Sequence, residues 1–447
     1  MSERRLEATA ADPDQAAALA ALNDGRSLHL TGGAGSGKST VIRTFLSQTN
    51  RRIARLATTA AAAQLIDGIT VHRFFELGPA VYQPGTKRVS GALRHRLSRT
   101  DGVLIDEASM LRIDKLQEIR DALFQCARGY GDFAGFQVVL SGDFAQLPPV
   151  MTDQDRAALT AIYGDNNLFA FQSRHWAGLA TCNLGTLHRQ AEDLAYAQAL
   201  DAMRRGVEPD LAAINARVRD APEGAVRLVS RNSTANEING RMMDAIPGKH
   251  FRIEGEVQGA FSPRDMRVNP QLILKPGTRV IICANGAQDA YVNGSTGIFV
   301  EAARDTNGQP VGHVDLDTGR RVVVPRHTWE AISYDVGQDR HGAADVSHQV
   351  VGSYAQLPLL PGYAITVHRA QGMTIPQMHF DPEGAFEAGQ VYVALSRVPH
   401  LDGLTLARAI EPDEIRQDPR VRAFQQRLAG GLANDVENPA TSAIAMP

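Results

Sequence analysis

Short apolar runs alternate with longer amphipathic stretches over the first 150 residues. Ser27–Thr31, Ile53–Thr58, Val103–Asp106 and Gln137–Leu140 read as strands, and Ala60–Ile66 and Ile113–Ala127 lie between them as helices. The run Phe136-Gln137-Val138-Val139-Leu140 is apolar at four of its five positions, the pattern of a strand buried on both faces rather than one. Strand and helix in turn predict a parallel sheet covered by helices. An Ala-rich helix precedes it, with Asp12-Pro13-Asp14-Gln15 as the start signal.

Residues 76–100 interrupt the rhythm. They carry Pro79, Pro84, Gly85 and Gly91 with the basic residues Lys87, Arg88, Arg94, Arg96 and Arg99, and read as a small surface insertion. A second alternating unit starts near Thr181 with Cys182–Leu184. It continues through the helix Leu194–Arg204, the strand Val226–Ser230 and the helix Ser233–Ala245, and resumes from Leu357 to about Leu428. Between its halves the period shortens to strands and turns: Thr278–Ala284, Gly297–Ala302, Gly312–Leu316 and Arg321–Pro325, with Asp317-Thr318-Gly319 as a hairpin turn. The expected organisation is therefore an α/β domain over 1–180, a second over 181–255 and 354–428, an inserted β-rich domain over 256–353, and a flexible tail over 429–447.

Composition adjusts this picture little. The 447 residues are 43% hydrophobic and 21% charged, with net charge −3, so any nucleic-acid contact must come from a local groove, not a global basic field. Three scattered cysteines, with no paired spacing, argue against a zinc site or a disulfide framework. The N-terminus lacks an apolar signal region, and no apolar run reaches membrane-spanning length. A soluble intracellular protein is expected: cytoplasmic, or nuclear or mitochondrial in a eukaryote.

Five segments carry chemistry. Gly32–Ser39, GGAGSGKS, fits a phosphate-binding loop between strand and helix. Gly33, Ala34, Gly35, Ser36, Gly37, Lys38, Ser39 and Thr40 would enclose ATP, with Lys38 on the β- and γ-phosphates and Ser39 on Mg²⁺. Val103–Glu107 is an apolar strand ending in two acids. Asp106 would hold Mg²⁺ through water, and Glu107 would orient or deprotonate the attacking water. Gly142–Val150, GDFAQLPPV, leaves a buried strand with Gln146 as an amide beside the nucleotide and Pro148-Pro149 stiffening the exit. Transition-state charge also needs a cation, and Arg189 in LHRQ and Arg397 in QVYVALSRV are the two candidate fingers.

Other positions keep two readings. In Thr366–Thr374, TVHRAQGMT, His368, Arg369 and Gln371 can reach phosphate, and Gly372 permits close backbone approach. In TVHRFF, Phe74 and Phe75 are either base-stacking platforms or core, and His72 is either a contact or a structural histidine. Thr58 and Thr59 either donate to a nucleic-acid phosphate or cap the helix that follows.

In order, these segments resemble superfamily-one helicases, most closely the Pif-one (petite integration frequency) family, across roughly residues 12–405. Gln15 matches that family's adenine-reading glutamine. The phosphate loop, ATTAAAAQL, TVHRFF, LIDEASM, GDFAQLPPV, LHRQ, YAITVHRAQGMT and QVYVALSRV match its motifs in sequence. The resemblance implies two RecA-like P-loop NTPase domains with a small β-barrel-like insertion, ATP and Mg²⁺, and single-stranded DNA and tailed or structured DNA as partners. It implies 5′-to-3′ movement by a monomeric motor, with roles in replication, recombination, repair or telomere maintenance. It also implies DNA contacts at Thr58, Thr59, His72, Phe74, Asn293, Thr366, His368 and Arg369, and a nucleotide contact at Gly372. The chain departs from the family pattern at Asp132-Phe133-Ala134-Gly135, Ala57–Ala60 and His368–Gly372, the first of these lying in the signature linked to G-quadruplex activity. The other readings are a RecD-like or Dda-like helicase and a nucleotide-gated clamp that grips single strands without unwinding them.

Overall fold

The computed structural model describes residues 12–149, 151–165, 167–185, 193–263, 266, 268–287, 290, 291, 293–338 and 344–429. Its first lobe is built on a six-stranded parallel sheet: β1 (Leu28–Gly32), β2 (Ile53–Ala57), β3 (Ile69–Thr70), β4 (Gly102–Asp106), β5 (Gln137–Ser141) and β6 (Ala180–Leu184). The spatial order is β3-β2-β4-β5-β1-β6. Every residue of β1 and β5 is buried, as a central parallel strand with helices on both faces requires.

The second lobe holds a four-stranded parallel sheet in the order Ala364–Thr366, Val226–Val229, Met378–Asp381, Leu404–Leu406. The α/β class with two RecA-like domains is thus present. The segment between its halves is antiparallel. Five strands, from Arg321–Pro325 through Pro310–Leu316, Thr296–Arg304 and Arg279–Ile282 to Leu359–Pro361, form one sheet. A long hairpin, His327–Gln338 with Ala344–Gln356, pairs with Glu256–Gly259. The β-rich part therefore takes in Phe251–Glu254 and Leu359–Pro361, beyond the expected 256–353.

Three expectations need correction. The strand read as opening the second domain, Cys182–Leu184, is β6 and lies parallel to β1, with Leu28 opposite Ala180 and Gly32 opposite Leu184. An edge strand has the same sequence pattern whichever sheet it joins, so only its pairing reveals its lobe. Residues 76–100, expected as a small surface insertion, are largely exposed or half-buried but also anchored in the first lobe. Leu77, Val81, Leu93 and Leu97 are buried in the first-lobe core. The helix Ile113–Phe124 grips this segment through polar groups: Lys115 Nζ donates to the carbonyls of Gly78 (2.9 Å) and Ala80 (2.7 Å), and Asp114 accepts from Tyr82 N at 3.0 Å.

The third correction concerns the C-terminal helix, Pro419–Ala429, which follows the second lobe in sequence but packs on the first. Phe424 stacks on Phe171 with ring centroids 4.3 Å apart, and its ring also meets Trp176, Phe144 and His29. Truncating a buried Phe leaves a cavity, so Phe424→Ala is expected to lower unfolding free energy by about 3–5 kcal/mol. Denaturant unfolding measures this, and a loss below about 1 kcal/mol would show that the helix is not held there.

Candidate nucleotide and DNA site

The sheet order assembles the site. β4, β5 and β1 are neighbours, so their C-terminal ends lie side by side within about 10 Å. The phosphate loop leaves β1, the Asp106-Glu107 pair ends β4, and GDFAQLPP leaves β5 between them. This is the crevice at which open parallel sheets bind ligands.

Gly37 opens the helix Lys38–Gln48 with φ 92°, and no side chain caps that end. The first-turn N–H groups and the positive end of the helix dipole therefore face the loop. Lys38 Nζ donates to the carbonyls of Gly32 (2.7 Å) and Gly33 (3.0 Å). Burial holds its pKa below the ordinary lysine value, with Arg204 adding to the effect and Asp143 opposing it. Gln15 Nε2 donates to the Ser36 carbonyl at 3.3 Å, tying the first helix to the loop. Ser39 is exposed at the mouth, and Ser36 Oγ is buried with no partner among the described residues.

Glu107 has φ 53°, a left-handed conformation that non-glycine residues seldom adopt. The neighbouring strand end holds it there: Thr58 Oγ1 donates to the Glu107 carbonyl at 2.8 Å, and Thr58 N donates to the Asp106 carbonyl at 3.2 Å. Glu107 N donates to Asp106 Oδ1 at 3.0 Å. Burial, then the charge of Asp106, pushes the Glu107 carboxyl above its ordinary pKa, while Arg397 and Lys38 oppose this.

The second lobe closes over these groups. A Cβ placed on Gly372 would lie 4.0 Å from Glu107 Oε1. One on Gly389, which has φ 79° at the start of the helix Gln390–Ser396, would come within 2.5 Å of the Ala145 carbonyl. GDFAQLPP sits between the lobes. Phe144 enters the first-lobe core, Ala145 and Leu147 enter the second-lobe core, and Gln146 Oε1 has no partner among the described residues. Gln371 Nε2 is likewise buried without one. A buried amide atom without a partner is costly, and these two lie in the segments that meet at the cleft, where a polyphosphate or water would satisfy them.

Arg397 is 5% exposed. Its Nε donates to Val393 O at 3.0 Å, and its terminal nitrogens reach Ser396 Oγ (2.7 Å) and Met373 O (3.4 Å). The guanidinium is thus engaged by the second lobe here. Arg189 lies outside the described residues.

A further group escaped the sequence reading. The fully buried Asp143 accepts from Arg204 Nε at 3.2 Å, and the Tyr392 hydroxyl donates to its other oxygen at 2.7 Å. Ala34 N donates to the Tyr392 oxygen at 3.3 Å. Both Arg204 and Tyr392 stand on second-lobe helices. An aspartate amid apolar neighbours in GDFAQLPP was the available signal for this group; nothing around Arg204 distinguished it from a surface arginine.

The DNA-contact candidates divide. Thr58 and Thr59 adjoin His72 because β2 and β3 are paired, Ala57 opposite Thr70. Thr58 is engaged as above, and Thr59 Oγ1 caps its helix, accepting from Ala62 N at 3.2 Å. His72 and Asn293 are exposed, Arg369 is half-buried, and the half-buried His368 pairs with Glu387. Thr366 is buried. Phe74 corrects the stacking reading: it is 7% exposed, packed edge-on against Phe75 at 5.0 Å, with the Arg96 guanidinium over its ring. Its ring faces the core, and no base can stack on it in this conformation.

A PIF1-like helicase model matches residues 12–206. The chain is 33% identical to the ATP-dependent DNA helicase Pif1 of Bdellovibrio bacteriovorus, the match covering 94% of this chain and 92% of that one. The chain belongs to the Pif1-like helicase family. It is 30% identical to the human ATP-dependent DNA helicase PIF1, across 95% of this chain and 65% of the human protein. Among solved structures, Pif1 helicases coordinating in pairs at forked double-stranded DNA match with TM-score 0.78 and 25% identity, over 94% of this chain and 97% of that one. The Bacteroides Pif1 helicase in complex with ADP-AlF3 and single-stranded DNA matches with TM-score 0.75 and 25% identity, over 92% and 95%. No helix among the described residues is long and apolar enough to cross a membrane.

The raised Glu107 carboxyl predicts the acid limb of ATP hydrolysis. A base must be ionised, so kcat/KM should fall as pH drops through a value above the ordinary 4.5. Glu107→Gln should remove that limb and lower kcat by about 10²–10⁴-fold. A wild-type midpoint at or below the ordinary value, in a steady-state pH profile, would contradict the assignment.

Proposed function

We propose that this ATP-dependent DNA helicase moves 5′ to 3′ along single-stranded DNA and separates the duplex ahead of it. The observation that carries the reading is GDFAQLPP, built into the cores of both lobes while the buried Gln146 Oε1 has no partner among the described residues. Equilibrium binding to a frayed strand can offset stacking of about 1.4 kcal/mol per base-pair step, but it cannot set a direction. Direction requires two grips that alternate under ATP, and two lobes joined through the ATP site supply them.

In this reading Gln15 contacts the adenine, and residues 33–40 enclose the phosphates with Lys38 on the γ-phosphate. Lys38 then exchanges its bonds to the Gly32 and Gly33 carbonyls for phosphate oxygens. Glu107 takes the proton of the attacking water, and Gln146 orients that water or the γ-phosphate. Arg397 brings positive charge from the second lobe, Arg189 of LHRQ is the other candidate finger, and Gly372 lets the second lobe approach. The residues also suit Mg²⁺, which keeps several waters and takes few protein ligands. Ser39 and Asp106 would hold it, and among the described residues there is no larger cluster of metal-ligating side chains. Bound there, Mg²⁺ would neutralise charge on the phosphate oxygens.

Single-stranded DNA would cross the ends of β2 and β3, where His72 is exposed, and continue to His368, Arg369 and Asn293. Thr58 and Thr59 contribute by shaping that edge, and Thr366 by ending its strand. The hydrogen bond from Thr58 Oγ1 to the Glu107 backbone carbonyl then joins the DNA edge to the residue that bears the hydrolytic carboxylate. One copy carries both lobes, so a monomer forms a complete motor.

Tailed duplexes test polarity. Unwinding of a 5′-tailed substrate, with little of a 3′-tailed one, is expected in the presence of ATP. Unwinding of the 3′-tailed substrate alone would reverse the direction, and stoichiometric ATP binding without turnover would mark a clamp.

A further inference from the structure

We infer that Tyr392 is a positioning residue for ATP turnover: its hydroxyl, held between Ala34 of the phosphate loop and Asp143 of GDFAQLPP, relays the state of that loop to Gln146. This inference rests on the motor reading above.

The proton inventory leaves one arrangement. A phenol has one proton, and burial together with the Asp143 charge pushes the Tyr392 phenol well above its ordinary pKa, so it stays protonated. The carboxylate can only accept, so the Tyr392 proton goes to Asp143 and the phenol oxygen accepts from Ala34 N. Asp143 in turn shapes the turn that bears Gln146. Its Oδ1 accepts from Ala145 N at 3.2 Å, and its carbonyl accepts from Gln146 N at 3.0 Å. Arg204 holds the same oxygen and also reaches Thr31 Oγ1 and Asn183 Oδ1, each at 3.3 Å.

Amide groups of such a loop turn toward phosphate when it is bound. The Ala34 N–H is here spent on a phenol from the opposite lobe. A phosphate that takes this N–H releases the Tyr392 oxygen on one side and leaves its bond to Asp143 on the other. The helix Gln390–Ser396 carries Tyr392 and also presses against the Ala145 carbonyl through Gly389. A shift of that helix therefore reaches Gln146 by two contacts, one polar and one steric.

The test uses the full chain, steady-state ATP hydrolysis over a range of ATP concentrations, and oligo-dT as the single strand. Tyr392→Phe keeps the buried ring and removes only the hydroxyl. Its kcat with saturating oligo-dT should fall about tenfold, equivalent to about 1.4 kcal/mol, while KM for ATP stays within about twofold. Arg204→Lys keeps the charge but loses the fork, and should lower kcat in the same sense. The double variant should fall little further than the weaker single one, because both act through Asp143. A Tyr392→Phe kcat within about twofold of wild type, a loss carried by KM, or fully additive losses in the double variant would each overturn the relay. Wild-type protein that hydrolyses no ATP with oligo-dT would instead overturn the motor reading itself.

Discussion

A carboxylate with no access to water must find its partners inside the protein, and for Asp143 two of them belong to the other lobe. Breaking such a buried pair by removing one member costs about 3–5 kcal/mol. The lobes therefore meet at this residue, with Arg204 and Tyr392 bringing the donors. The rest of the cleft follows from that contact. Gly389 brings its helix onto the Ala145 carbonyl, and Gly372 comes within reach of Glu107.

The same segment is packed into the cores of both lobes. Phe144 belongs to an aromatic cluster of the first lobe that includes Phe171, Trp176 and Phe424. One residue later, Ala145 is packed in the second lobe. Packed interiors resist gradual deformation, so a segment sewn into two of them moves when they move. Gln146, whose Oε1 has no partner among the described residues, lies between them, and in the proposed motor that motion meets the γ-phosphate there. The C-terminal helix adds a second tie, since it follows the second lobe in sequence yet packs under the first.

Much of this was legible in the sequence. The phosphate loop, the acidic strand end and the β5 exit stand out because each needs a buried strand followed by polar residues at its C-terminal end. Parallel sheets follow from the same alternation. What the sequence left open is pairing between distant segments. β6 looks alike in either sheet, and the partner of Phe424 lies some 250 residues away, at Phe171. Phe74 had two readings because an aromatic at a helix start suits both a core and a base. Residues 76–100 looked exposed because of their prolines and arginines, whereas four leucine and valine side chains among them anchor the segment. Arg204 carries no local mark at all, since its partner Asp143 is 61 residues distant.

If the two lobes act as alternating grips, as proposed, nucleotide and DNA affinities are linked through Asp143, where the lobes meet. The direct measurement is the Kd for single-stranded DNA with and without a non-hydrolysable ATP analogue, in the wild-type chain and in Asp143→Asn, which keeps the shape and removes the charge. Linkage between two sites is typically about 5–150-fold and is reciprocal. The account predicts such a ratio in the wild type and its collapse toward one in the variant. A variant that still binds both ligands and retains the full wild-type ratio would contradict it.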